Sequence, residues 1–231
     1  MSSNETSPKS NTDKAMELAA ARFFNWNDVR YTYPSPPYQR PTITEYADQL
    51  RERNLLTPVV DESVALAQEV RRENQLVFYI AGALTGMSAA VKARYESVSE
   101  LIAAPRSPHL AMFGYAPHLH GTDPVKHPRV TPREVRDIDF LWSTIVPNMH
   151  INFLNPVAHG NAIEAGWAEM SGVNSLHVAE EDFTASRLVR GTNGILGTVL
   201  YQDFETDALP QIDTFLQYLA DFNEQGSTSS L

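Results

Sequence analysis

The side chain best suited to chemistry in this sequence is a glutamate near the start of a predicted helix, Glu164. It lies in the segment AHGNAIEAGWAE, and we expect it in the first turn, next to exposed backbone amides and the positive end of the helix dipole. That position favours an ionised carboxylate. A rigidly held carboxylate can attack an anomeric carbon in a retaining glycosyl transfer. The alternative is that Glu164 only stabilises its own helix, as acids in first turns commonly do.

Two further acids, Asp137 and Asp139, lie on a helix predicted to begin at Thr131. Residues two apart on a helix point to different faces, so both cannot reach one ligand. One of the two acids is therefore expected to face a site and the other to face solvent or to cap the core. The alternative is that both are structural acids on a solvated face.

The loop AGALTGM contains Gly82 and Gly86, which allow the backbone to approach a ligand closely. It is neither a GxGxxG fingerprint nor a P-loop with its lysine, so it does not indicate a dinucleotide cofactor. Ser186 is not part of a GxSxG elbow, which argues against a serine hydrolase triad. We therefore expect no cofactor.

The histidines do not predict a metal site. His118, His120 and His127 share a Pro-rich loop, but no HExxH motif or cysteine accompanies them, and the chain has no cysteine at all. His150 and His177 fall within predicted strands, where buried structural histidines are the expected interpretation. We expect no metal.

Strands and helices alternate from Gln75 onward, which positions these residues. LVFYIAGA is a near-continuous apolar run, typical of a strand buried on both faces of a parallel sheet. The pattern predicts an α/β doubly wound, flavodoxin-like or Rossmann-like, five-stranded parallel sheet with an N-terminal helical extension. Ligands of such sheets bind beyond the carboxyl ends of the strands. The other predicted strands are LAMFGYAP, MHINFLN, NSLHVAE and ILGTVLY.

Composition divides the 231 residues into four segments. We expect disordered tails at 1–13 and 225–231, a helical and Pro-rich extension at 14–74, and one α/β domain at 75–224. A net charge of −10 argues against a nucleic-acid partner. No apolar run approaches a membrane span, and the chain's start lacks a signal-peptide pattern, so we expect no membrane contact and a cytoplasmic protein.

Taken in order, four motifs resemble those of the nucleoside 2-deoxyribosyltransferase superfamily, in particular its 2'-deoxynucleoside 5'-monophosphate N-glycosidase branch. YIAGALTG is similar to the first-strand motif, RDIDFL to the acidic helix, AHGNAIEAGWA to the nucleophile signature, and SRLVRG to a later phosphate-contacting motif. The resemblance covers about Val77 to Val199.

The resemblance implies roles for individual residues. Glu164 matches the nucleophile, Asp137 the acid that supports the substrate and the acid-base steps, and Tyr79 the aromatic residue near the sugar; Asp139 is then structural. The positions that it assigns to substrate binding are Gly82, Ala83, Thr85, Gly86, Ala158, Gly160, Asn161 and Ser186. At Ala83, Thr85 and Ala158 this chain differs from the residues usual in the family, which weakens the expectation of a 5'-phosphate.

The resemblance thus implies an enzyme that cleaves the N-glycosidic bond of a nucleoside or nucleotide, by hydrolysis or by transfer to a second base. One alternative is a catalytically inactive nucleotide- or sugar-binding module of the same fold. Another is an interaction protein with a vestigial domain. The resemblance also implies a homo-oligomer, a dimer or larger, in which the aromatic and proline-rich stretch from Tyr31 to Tyr38 could pack on a neighbour.

Overall fold

A computed structural model of the chain describes residues 39–74, 76–183 and 194–228. Five strands form one parallel sheet in the order β2-β1-β3-β4-β5. Because the order reverses direction between β1 and β3, the connections that leave these two strands diverge and open a crevice at their carboxyl ends. The predicted doubly wound α/β fold is confirmed.

The strands are β1 Leu76–Ala81, β2 Met112–Tyr115, β3 Met149–Phe153, β4 Asn174–Glu180 and β5 Ile195–Tyr201. The helices are α1 Ile43–Glu52, α2 Pro58–Glu73, α3 Ala89–Ala103, α4 Pro117–His120, α5 Pro132–Phe140, α6 His159–Met170 and α7 Leu209–Thr228. Two π-helical turns, Leu141–Ile145 and Phe204–Ala208, follow α5 and precede α7. None of the described helices is both long enough and apolar enough to cross a membrane.

One face of the sheet packs against α3 and α7. The apolar side chains of these two helices and of the strands form a single buried cluster. The hydrophobic effect of this burial holds the sheet between its two helical layers. The cluster includes Phe78, Ile80, Tyr95, Val98, Ile102, Ile151, Phe153, Ile212, Phe215 and Leu216.

The other face packs against α1, α2 and α5, so the extension shares a core with the sheet. Polar contacts add to this packing: the Trp142 indole N–H donates to Ser63 Oγ at 2.8 Å, and the Tyr46 hydroxyl donates to the Asp137 carbonyl at 3.0 Å. The extension thus forms the wall behind Trp142.

The predicted helix start at Thr131 agrees with the structure, and a second threonine, Thr42, caps α1 in the same way. Each threonine forms a capping box with the glutamate three residues on, and Pro132 is at the first helical position. The α-helix that begins after Thr131 ends at Phe140, because α5 gives way to a π-helical turn at Leu141. Of the predicted disordered tail at 225–231, the residues up to Thr228 belong to helix α7. The predictions for residues 1–38, for the SRLVRG motif with Ser186 and for the last three residues lie outside the described residues.

A close packing contact at Gly82 gives the first test. A Cβ at this position would lie 2.4 Å from Tyr95 Cζ, and Tyr95 is buried with its hydroxyl donating to the Ala83 carbonyl at 3.2 Å. Gly82→Ala should therefore lower the free energy of unfolding by about 1–3 kcal/mol through overpacking. The matched control is Gly166→Ala, which meets no atom within 4 Å on an exposed helix face and should be neutral or stabilising. Equal urea midpoints for wild type and Gly82→Ala would contradict the prediction.

Candidate active site

Glu164 lies on α6, which follows β3 at the crevice where the strand order reverses. The helix begins at His159, which places Glu164 in the second turn and not in the predicted first turn. The helix dipole acts mainly within the first turn, so it supports the carboxylate less than the sequence suggested. Another influence must set the charge of Glu164.

That influence is burial. Glu164 is 9% exposed, and loss of solvation raises the pKa of its carboxyl to about 7. The Tyr79 hydroxyl opposes this shift, because it approaches closely enough to favour the carboxylate, although it does not reach full hydrogen-bond geometry. No Lys or Arg forms an ion pair with Glu164 among the described residues. The carboxyl therefore changes charge near neutral pH, as acid-base chemistry requires.

The neighbouring carboxyl is that of Asp139. Burial raises its pKa well above the usual range, and the charge of Glu164 raises it further, while the nearby Thr122 hydroxyl lowers it. When two like charges share a buried site, one proton is retained more tightly than the other. The arrangement favours an ionised Glu164 beside a protonated Asp139.

Asp137 lies on the other side of α5. Its carboxylate accepts from Arg136 Nη1 at 2.5 Å and from Arg133 Nε at 3.4 Å, and its side chain is only 1% exposed. The two acids of this helix thus point to different faces, as predicted. The structure brings Asp139 to Glu164 and pairs Asp137, the acid chosen by motif resemblance, with two arginines.

Two stacked tyrosines lie near the acids. Tyr79 on β1 and Tyr115 on β2 stack at a centroid distance of 5.9 Å, and Tyr115 stacks on Trp142 at 3.9 Å. Both tyrosine hydroxyls are buried, and burial together with the charges of Asp139 and Glu164 raises their pKa values well above 10.0. Both hydroxyls therefore remain neutral. That of Tyr79 lies beside Glu164, whereas that of Tyr115 lies near Ser63.

The residues predicted to contact substrate lie in two loops beside this pair. In the loop after β1, Ala83 is buried, Thr85 is exposed, and Gly86 adopts a φ of 75°. Gly82 and Ala83 are fixed by Tyr95, as described above.

The second loop leads into α6. Ala158 precedes the helix without a side-chain cap, and Gly160 is exposed. The side-chain amide of Asn161 donates to the Phe153 carbonyl at 2.5 Å, which anchors the helix start to β3. Ser186 lies outside the described residues.

The histidines beneath the site are neutral. Burial lowers the pKa of both His150 and His177 to about 4, and His150 Nε2 lies 2.7 Å from the Ser143 carbonyl oxygen. In the part of the chain that the structure describes, no three His, Asp or Glu side chains are grouped so as to hold a metal ion. These histidines serve as polar parts of the core.

Sequence reasoning missed the contributions of Asp139, Tyr115 and Thr122. Only the family resemblance favoured Asp137 over Asp139 as the site acid. The positions of two residues on one helix do not reveal which face of the helix meets the sheet. Tyr115 ends a strand whose carboxyl end borders the crevice, and Thr122 follows it in the next loop. That position at a strand end was the available signal.

Comparisons with known proteins find similarity in structure and not in sequence. No family model matches the chain, and no curated protein matches it in sequence. Among solved structures, the chain is similar to a CMP N-glycosidase from Clostridium botulinum, BcmB, with 18% identity and a TM-score of 0.45. The match covers 60% of this chain and 98% of that chain. A sequence identity of 18% does not show that the two proteins share an activity.

The raised pKa of Glu164 predicts a pH-dependent loss of stability. The folded state holds the proton more tightly than the unfolded state, so stability falls as pH rises from 4.5 to about 7. Glu164→Gln removes this loss. The variant should gain stability relative to wild type across that window, by on the order of 3 kcal/mol at most above pH 7, in urea unfolding at a series of pH values.

The matched control is Glu69→Gln, which removes an exposed carboxyl on α2. Its stability should follow the wild-type pH curve. A constant difference between Glu164→Gln and wild type from pH 4.5 to 8 would show that Glu164 is not desolvated as described.

Proposed function

We propose that this chain is a nucleoside or nucleotide N-glycosidase or 2-deoxyribosyltransferase-like enzyme that cleaves the N-glycosidic bond through Glu164. The observation that carries the proposal is the pair of carboxyls formed by buried Glu164 and partly buried Asp139, whose pKa values are both raised, beside the stacked rings of Tyr79 and Tyr115. Two acids with separated proton affinities are what a retaining glycosyl transfer requires: one nucleophile and one proton donor. The ordered sequence motifs supply the nucleoside class.

In the first step the Glu164 carboxylate attacks C1' of the sugar. The C1'–N bond breaks as an ester bond to Glu164 forms, and Asp139 delivers its proton to the departing base. The Tyr79 hydroxyl orients Glu164, because it lies beside the carboxylate and has no other hydrogen-bond partner among the described residues. Asp139 thereby takes the acid role that sequence resemblance gave to Asp137.

In the second step an acceptor attacks C1' and releases Glu164. When the acceptor is water, the Asp139 carboxylate takes its proton, and the products are free sugar and a regenerated acid pair. When the acceptor is a second base, the product is a new nucleoside. The glycine-containing loop after β1 and the start of α6 would hold the sugar and its 5' end. A small molecule is thus the proposed partner, and a dimer or larger oligomer remains part of the proposal.

Base release from a panel of nucleosides and nucleotides, followed by chromatography, tests the proposal. The wild type should release base from at least one substrate, with kcat/KM rising as pH increases through about 7 as Glu164 ionises. Glu164→Gln should abolish release from every accepted substrate. Full activity in this variant would overturn the nucleophile assignment, and tight binding without release by the wild type would favour an inactive binding module.

The two acids of α5 offer a matched pair. Asp139→Asn should lower kcat by about 10²–10⁴-fold, because the base then departs without a proton donor. Asp137→Asn removes the partner of two arginines and should cost stability while activity per folded molecule stays within a few-fold. The reverse pattern, measured with circular dichroism to quantify folded protein, would return the acid role to Asp137.

A further inference from the structure

Two side chains of helix α3, one turn apart, bind the connection between β2 and α5. Lys92 Nζ forms an ion pair with Asp123 Oδ2, and Glu96 Oε1 lies 3.2 Å from His118 Nε2 and 3.8 Å from Lys126 Nζ. The Asp123 carboxylate is 1% exposed and the Lys92 side chain 14%. Because α3 begins directly after the glycine-containing loop, it joins that loop to the connection.

Asp123 is held in place from several directions. Besides Lys92, its carboxylate accepts the backbone N–H groups of Val125 at 2.7 Å and Lys126 at 3.4 Å. Burial alone would raise the pKa of Asp123, but the Lys92 hydrogen bond and these amides outweigh it, and the pKa is lowered. A buried carboxylate with this set of donors fixes the backbone on either side of it.

The preceding residue, Thr122, faces the acid of the reaction. Its hydroxyl is buried without a hydrogen-bond partner among the described residues, as is Asp139 Oδ1. The hydroxyl lies close enough to stabilise the charged form of Asp139. The Thr122 hydroxyl is thus a buried donor without another partner among the described residues, beside a carboxyl with an unpartnered oxygen.

The other groups that face Asp139 come from three elements. Glu164 on α6 contributes a like charge, while Tyr79 on β1 and Tyr115 on β2 contribute neutral hydroxyls. The arginines on its own helix, Arg133 and Arg136, bind Asp137. Thr122 is therefore the one group among the described residues that directly favours the Asp139 carboxylate.

We infer that Thr122 is a positioning residue for Asp139, held in place by the buried Lys92–Asp123 ion pair, an inference that rests on the proposed function. When Asp139 gives its proton to the leaving base, the Thr122 hydroxyl donates to the new carboxylate. The hydroxyl thereby stabilises the acid's charged form beside the glycosyl ester on Glu164. Through Lys92, this support is tied to the loop that holds the substrate.

Thr122→Val and Thr122→Ser test the role of the hydroxyl. Thr122→Val keeps the shape of the side chain and removes the donor, so kcat should fall by roughly tenfold with little change in KM. At high pH, kcat should fall where Asp139 loses its proton. This alkaline limb of the kcat profile should move to higher pH in Thr122→Val, because the Asp139 carboxylate loses a stabilising donor. Thr122→Ser should restore both. Unchanged kcat and pH profile in Thr122→Val would overturn the inference.

The ion pair is tested by Lys92→Met combined with Asp123→Asn, which removes both charges without leaving one buried alone. This double variant should shift kcat and the alkaline limb in the same direction as Thr122→Val. Adding Thr122→Val to it should cause little further loss, since both changes act through one hydroxyl. Fully multiplicative losses would show that the ion pair does not act through Thr122.

A titration of the Asp139 carboxyl by ¹³C NMR separates this inference from the proposed function. If the wild type releases no base from any substrate, the proposed function fails, but the NMR comparison still decides the role of Thr122. A higher Asp139 pKa in Thr122→Val than in wild type and Thr122→Ser supports the positioning contact. The same Asp139 titration in all three proteins would overturn it.

Discussion

The site depends on the desolvation of two neighbouring carboxyl groups. Hydroxyl groups lie beside them, and no lysine or arginine among the described residues does. A lysine or arginine beside Glu164 would hold its pKa low and leave the second acid ionised as well. With hydroxyls instead, burial raises the pKa of Glu164 to about 7 and the pKa of Asp139 well above its usual range. This difference in proton affinity is what allows two chemically similar side chains to act as nucleophile and acid.

The rest of the structure maintains that desolvation. The strand order places the divergence of the chain between β1 and β3, and α6 then covers the crevice with Glu164 on its inner side. The stack of Tyr79, Tyr115 and Trp142 fills the space beneath the acids with rings. Rings that pack closely exclude water and hold their hydroxyls in one place, which is the preorganisation that electrostatic catalysis requires.

Much of the fold could be predicted from the sequence, because apolar runs and capping residues are local signals. NSLHVAE and ILGTVLY coincide with β4 and β5, and a helix begins after Thr131 as expected. The acid that meets Glu164 could not be predicted, since it depends on how α5 is rotated against the sheet. The π-helical turn at Leu141–Ile145 also escaped prediction, because its hydrogen-bond pattern leaves no clear mark on residue periodicity.

Ser63 belongs to a part of the chain that carries none of the recognised motifs, yet its hydroxyl accepts the indole N–H of Trp142. Trp142 in turn lies flat against Tyr115. Substitutions on the outer surface of α2 are therefore free to accumulate, whereas substitutions on its inner surface alter the packing of Trp142 against Tyr115, whose hydroxyl is within electrostatic range of both acids. Divergence among homologues of this chain should thus be asymmetric around α2, with the inward side varying only together with the aromatic residues behind the pocket.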